Sequence, residues 1–228
     1  MLSSRTLLLA ATAVLLAGPG QAQDRNLDLA FNVGGATDYV FRGVSQTARK
    51  AQIFAGADLT HDRLYAGAWL SNVEAHDGAS AEYDLYAGFR PQAGPVALDL
   101  GLTYYGYAHR PAGAREAYYE FKAAGSVPLG KATLGAAAAY SPEFRFGRGQ
   151  ATYVEINGST WLNDKVQVSG ALGHQSVTGP GGYATWNLGV GYVVTPHLGF
   201  DLRYWDTDEH GLGRDDRSKA VLGVKATF

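Results

Sequence analysis

Hydrophobic and polar residues alternate along most of this chain with a period of two, the spacing of a strand that buries one face. The final segment shows it plainly: Ala220, Leu222, Val224, Ala226 and Phe228 share one face, and Lys219, Gly223, Lys225 and Thr227 the other. The same pattern predicts twelve strands, at 27–42, 50–60, 63–74, 81–91, 95–108, 116–127, 131–141, 151–162, 165–176, 183–194, 197–206 and 218–228. Tight turns alternate with longer connections. His61-Asp62, Pro91–Gly94, Pro128–Gly130, Asn163-Asp164 and Thr195-Pro196 are tight. Gly43–Arg49, Ala75–Ser80, His109–Arg115, Pro142–Gln150, Val177–Gly182 and Thr207–Arg217 are long. Short turns at one rim, long loops at the other and an even strand number are the features of a barrel that crosses a bilayer. The predicted fold is therefore all-β: a transmembrane, antiparallel, up-and-down β-barrel of about twelve strands.

The charges sharpen this picture. With the apolar phase outward, strand 27–42 puts Leu29, Phe31, Val33, Tyr39 and Phe41 outside, and Asp28, Asn32, Asp38 and Arg42 inside. Further along, Asp58, Glu82, Asp84, Arg90, Asp99, Glu120, Lys122, Glu155, Asp201, Arg203, Lys219 and Lys225 all fall on the inward phase. A Lys or Arg facing lipid at mid-depth costs about 2–4 kcal/mol, so a bilayer demands this sorting. The inward acids slightly outnumber the bases, which predicts a mixed, partly self-neutralising lumen with a slight preference for cations. Inward Tyr86, Tyr105, Tyr107, Tyr118, Tyr153, Trp161 and Trp205 fill space that inward glycines reopen, so any passage is narrow. Outward Phe41, Trp186, Tyr192, Tyr204 and Phe228 fit the aromatic girdles of a membrane barrel.

The N-terminus reads as a secretory signal. Arg5 gives the positive region, Leu7–Ala17 the apolar region, and Gly18–Ala22 a small-residue zone with cleavage expected after Ala22. The expected organisation is thus a signal peptide at 1–22 and one barrel domain at 23–228. The chain has no cysteine, although an exported protein is permitted disulfides. A closed barrel needs none, because every backbone group is paired around the ring. A formal net charge of −2 gives no reason to expect nucleic acid as a partner. The histidines lack metal-ligand spacing, and Gly189-Val-Gly191 lies inside a strand with no helix to follow, so neither metal nor cofactor is expected.

Thr37-Asp-Tyr-Val-Phe-Arg-Gly-Val-Ser-Gln-Thr47 resembles the signature of the TorF-type porins of proteobacterial outer membranes, carried by Asp38, Tyr39, Phe41, Arg42, Gly43, Ser45 and Gln46. Tyr65–Val73 and Glu82–Gly88 are similar to two further blocks of that family. The resemblance implies an outer-membrane barrel that gives small hydrophilic solutes passive passage and is not an enzyme. The signature block is expected to end the first strand and turn into a loop at the outer mouth. Asp38 and Arg42 then pair with each other or with neighbours across the lumen, as a charged constriction or as salt bridges that hold the barrel. Phe228 at the end of the last strand resembles the recognition signal of the barrel-assembly machinery. That machinery, periplasmic chaperones, outer-membrane lipids, lipopolysaccharide and small solutes are the expected partners.

A second pattern points elsewhere. His174-Gln-Ser176 and Trp186-Asn187 are similar to elements of the outer-membrane phospholipase A family, in which a hydroxyl, an imidazole and an orienting carbonyl act together. His174 and Ser176 share the lipid-facing phase, whereas Asn187 falls on the inward phase, so the three meet only across a bulge. A non-conducting barrel with structural or adhesive loops is the remaining alternative.

Overall fold

A computed structural model describes residues 27–74, 78–109, 117–145, 149–179 and 181–228. The predicted signal peptide and its cleavage site lie outside them. The chain forms β1 (Leu27–Ala36), β2 (Val40–Phe41), β3 (Val44–Ser45), β4 (Gln52–His61), β5 (Leu64–Asn72), β6 (Ala81–Phe89), β7 (Gln92–Ala93) and β8 (Val96–Ala108). It continues through β9 (Ala117–Leu129), β10 (Ala132–Ser141), β11 (Ala151–Trp161), β12 (Val166–Val177), β13 (Gly182–Thr195), β14 (Leu198–Thr207) and β15 (Lys219–Thr227).

Twelve of these are the staves of one closed antiparallel barrel. Each pairs with its sequence neighbour, and β1 meets β15 to shut the ring, with Asn32 opposite Thr227 and Ala36 opposite Gly223. Phe228 finishes the seam by exchanging backbone hydrogen bonds with Phe31, at 2.9 and 3.1 Å. The two-residue β7 only extends the turn between β6 and β8. The pair β2 and β3 belongs to no stave and forms a separate hairpin.

The alternation predicted from sequence builds the wall. Leu29, Phe31, Leu70, Leu85, Ile156, Leu188, Leu202 and Leu222 are all exposed on the outer surface. An apolar belt of this extent is covered by lipid rather than water. Every Asp, Glu, Lys and Arg within the twelve staves takes the inward phase, except Asp206 at the loop end of β14. Large inward rings are accommodated by glycines on adjoining strands. The Tyr65 ring lies over Gly88 and the Tyr153 ring over Gly173, at distances no Cβ would allow. The neighbouring backbone thus gives each ring a flat seat.

One strand departs from expectation. The first stave ends at Ala36 rather than running to residue 42. Its ladder partner β15 begins at Lys219, and the last backbone bond between the two strands is Thr37 N–H to the Leu222 carbonyl, at 2.9 Å, with Leu222 N–H donating back to Thr37 Oγ1 at 3.1 Å. Beyond it the chain turns into the barrel. Tyr39 and Phe41 therefore do not face lipid: Tyr39 is 3% exposed and Phe41 packs on Tyr105 in the interior. Phe41 is not part of the outer aromatic girdle, whereas Trp186, Tyr192, Tyr204 and Phe228 are exposed.

Candidate functional site in the barrel lumen

The segment that leaves the wall is a compact inner hairpin. Val40 pairs with Ser45 and Phe41 with Val44, leaving Arg42-Gly43 as a two-residue turn. Both turn residues have positive φ, 49° and 84°, the mirror-image turn that suits a tight hairpin. Gly43 fits here for two reasons: its φ favours glycine, and a Cβ would collide with the side chains of Thr185 on β13 and Thr207 on β14. Lys219 on β15 donates from Nζ to the Gly43 carbonyl at 2.6 Å, fixing the tip against that wall.

The hairpin reaches most of the circumference. On one side Tyr39 joins a buried cluster with Val73, Ala79, Tyr107, Tyr118, Phe144 and Ala151. On the other, Val40 packs with Trp205 and Val221. The Tyr39 hydroxyl donates to Glu82 Oε1 at 2.6 Å, and its ring meets Trp69 edge-on, 5.4 Å between centroids.

Arg42 makes the strongest attachment. Its Nη1 and Nη2 donate to both carboxylate oxygens of Glu120, at 2.9 and 2.8 Å, and Nη1 also donates to Gln175 Oε1 at 2.8 Å. The guanidinium carbon lies 4.3 Å from the centre of the Tyr153 ring, a cation–π contact. Arg42 is 5% and Glu120 3% exposed, so this fork is a buried ion pair. Of the two pairings expected for Arg42, the structure shows the one across the lumen. Asp38 instead accepts through Oδ1 from the Ser45 and Thr47 hydroxyls, at 2.6 and 2.8 Å, which binds the hairpin's two ends together. Burial pushes the Asp38 carboxyl above the usual carboxylate range, against the pull of those two hydroxyls.

Beneath the hairpin the lumen opens into two cavities, of about 180 and 110 Å³. Glu155 and Asn157 line both. Several of the other inward charges are paired along the surrounding wall, although Lys225 Nζ has no hydrogen-bond partner. Arg203 forks onto Asp201 and also donates to Asn187 Oδ1 at 2.6 Å and Ser169 at 2.8 Å. Lys122 reaches Asp99 at 3.0 Å, and Arg90, 3.6 Å from the same carboxylate, stacks over Tyr65. Asp58 accepts from the Tyr86 hydroxyl at 2.5 Å and from Asn32 at 3.3 Å. Asp84, 9% exposed, has one oxygen without a hydrogen bond.

Sequence reasoning missed several residues of this site. Tyr65 and Trp69 lie on the inward phase of β5, and their phase alone could have placed them. Phe144 and Arg145 come from the loop after β10, where Arg145 donates to Gln46 Oε1 at 2.7 Å. No periodicity exists in that loop to reveal them. The His174–Ser176 pair does form, with Ser176 Oγ 3.2 Å from His174 Nδ1 on the exposed outer face. Asn187 stays in the lumen on Arg203, and the bulge of the β13–β14 ladder lies at Val193–Thr195, well away from it. The hydrolase triad therefore does not assemble, because its third member is on the opposite face of the wall.

The fold has solved counterparts. The KdgM porin is 8% identical with a TM-score of 0.62, aligning 87% of this chain with 99% of that one. The NanC porin is 10% identical with a TM-score of 0.60, over 87% of this chain and 98% of its own. An outer membrane channel from Pseudomonas putida F1 is 11% identical with a TM-score of 0.52, over 92% and 98%. At such identities the likeness establishes the porin-type barrel. A search of curated protein sequences finds no match. The profile of one family matches residues 21–227, nearly the entire chain, and the protein is a member of that family, described as bacterial protein of unknown function (Gcw_chp).

Proposed function

We propose that this protein is a bacterial outer-membrane channel through which small hydrophilic solutes diffuse passively, with the inner hairpin as its constriction. The observation that carries this reading is a polar lumen with two cavities inside an apolar-coated barrel, crossed at one level by a hairpin held on charged bonds. A barrel needing only rigidity gains most from an apolar or fully paired interior, since unpaired buried charge is costly. The TorF-type resemblance of Thr37–Thr47 supports the same reading, because the signature residues are those that build the constriction. Export by the N-terminal signal, insertion through the assembly machinery by way of Phe228, and loops set among lipopolysaccharide complete the proposal. His174 and Ser176 are assigned no catalytic role.

The test is single-channel recording of the refolded barrel in a planar bilayer with potassium chloride. Small discrete steps are expected, because the hairpin occupies the lumen. A folded barrel that stays silent contradicts the channel reading, and steps of wide-porin size contradict the constriction.

A further inference from the structure

Around the two cavities the charges answer one another, with one acid left over. Asp38, Glu155, Asp201, Arg203 and Lys225 line the larger cavity, and Arg42, Asp99, Glu120, Lys122 and Glu155 the smaller. In each, acids outnumber bases by one, and Glu155 is the charged residue common to both. Arg42 is spent on Glu120, Lys122 on Asp99 and Arg203 on Asp201, at 2.8, 3.0 and 3.0 Å. Arg90, the second cation on Asp99, lines neither cavity, and its side chain is 36% exposed. Asp38 faces Lys219 and Arg49, and Asp58 attracts Lys225. Glu155, by contrast, is held by neutral donors: the Tyr153 hydroxyl gives to Oε2 at 2.7 Å and Asn157 Nδ2 to Oε1 at 3.0 Å. Its ladder neighbours are Ala137 on β10 and Gly173 on β12, and among the described residues no Lys or Arg forms an ion pair with it. The two hydrogen bonds fix the carboxylate in place and leave its charge uncancelled.

We propose that Glu155 determines the selectivity of the passage, and that the solutes it favours are small cations. The proposal rests on the lumen being the solute path and names the solute class that path favours. Acidic side chains lining a pore favour cations. A fixed charge between low-dielectric walls focuses its field along the water it borders, and salt screens it less than a charge on an open surface. Glu155 lies where the two cavities share a wall, so a solute crossing from one to the other passes its carboxylate. The ion pairs do not act in this way, because each presents both signs side by side and their fields cancel over a short distance. The excess of inward acids along the whole chain thus comes down, at the passage itself, to one side chain.

The test is the zero-current potential of the refolded full barrel in a planar bilayer under a potassium chloride gradient. The native protein is expected to pass potassium over chloride several-fold. Glu155→Gln, which keeps an amide to meet Tyr153 and Asn157, is expected to bring that ratio close to unity, and Glu155→Lys to invert it. Adding Asn157→Asp to Glu155→Gln places a carboxylate on the same two cavities and is expected to restore the preference for potassium. A merely structural role for Glu155 would not produce that rescue. If Glu155→Gln does not conduct, Asn157→Asp alone decides: a ratio above the native value supports the proposal, and an unchanged ratio overturns it. A conducting native barrel that prefers chloride or neither ion, or a Glu155→Gln barrel as selective as the native one, overturns this inference and leaves the channel. A folded native barrel that passes no current overturns the channel reading itself.

Discussion

The wall of the barrel and the hairpin inside it obey the same local rule to opposite ends. In β1, alternation turns Leu29, Phe31 and Val33 towards lipid and leaves Asn32 inside. A few residues later Tyr39 and Val40 are buried in the lumen, each on a different wall. What differs is the environment beyond the strand. The wall has hydrocarbon on one side, so its energy comes from sorting polar from apolar. The hairpin is enclosed on both sides, and it is held by specific bonds: Arg42 to Glu120, Tyr39 to Glu82 and Lys219 to Gly43. The wall therefore tolerates change within a class of residue, whereas the hairpin depends on individual partners.

The sharpest way to break that contrast is Glu120→Ala. It leaves the Arg42 guanidinium buried without a counter-charge, a loss of about 3–5 kcal/mol for the docked hairpin. Tryptic cleavage after Arg42, slow in the native barrel where that residue is 5% exposed, is expected to accelerate strongly while the barrel itself stays folded. The double variant Glu120→Ala with Arg42→Ala is expected to cost less than the sum of the two single changes.

The wall is probed by Leu188→Arg, at the middle of β13 and 61% exposed to lipid. It is expected to lower barrel stability by about 2–4 kcal/mol in urea unfolding from vesicles. An arginine at inward Ser159 on β11, which lines the second cavity, is expected to cost less, since water and polar groups reach it. Equal costs at the two positions contradict the assignment of faces. A smaller effect is expected for Gly43→Ala, about 1–3 kcal/mol against hairpin docking, from the positive φ and the contacts with Thr185 and Thr207. Partial loosening read by tryptic cleavage checks it.

The finest distinction is one of pH. Asp38 holds its proton more tightly in the docked hairpin than in a free one, because burial disfavours its charge. The docked form then binds more protons, so its stability is greatest below the ordinary carboxylate pKa and declines as pH rises through the raised value. Asp38→Asn is expected to flatten that dependence of tryptic cleavage between acid and neutral pH.

Most of the wall was legible in the sequence because a bilayer leaves a strong periodic mark. Phase alone placed Asp99, Glu120, Glu155, Asp201 and Arg203 inside. The hairpin escaped for a particular reason. Tyr39 and Phe41 continue the odd-numbered apolar phase of Leu29, Phe31 and Val33, so the alternation runs on past the residue where the chain leaves the wall. The signal was nevertheless present: Arg42-Gly43 between Val40-Phe41 and Val44-Ser45 is a two-residue hairpin with glycine in its turn. Arg145 left no such trace, because its place depends on how a long loop folds back over Tyr107 and Gln46.

In the proposed channel the inner hairpin sets the aperture of the lumen. The most direct test of this role compares single-channel conductance of the native barrel with a variant in which residues 38–46 are replaced by a short Gly/Ser linker. Small steps are expected from the native protein and steps several-fold larger from the variant, since the wall remains closed without the hairpin. Equal conductance in the two would contradict it.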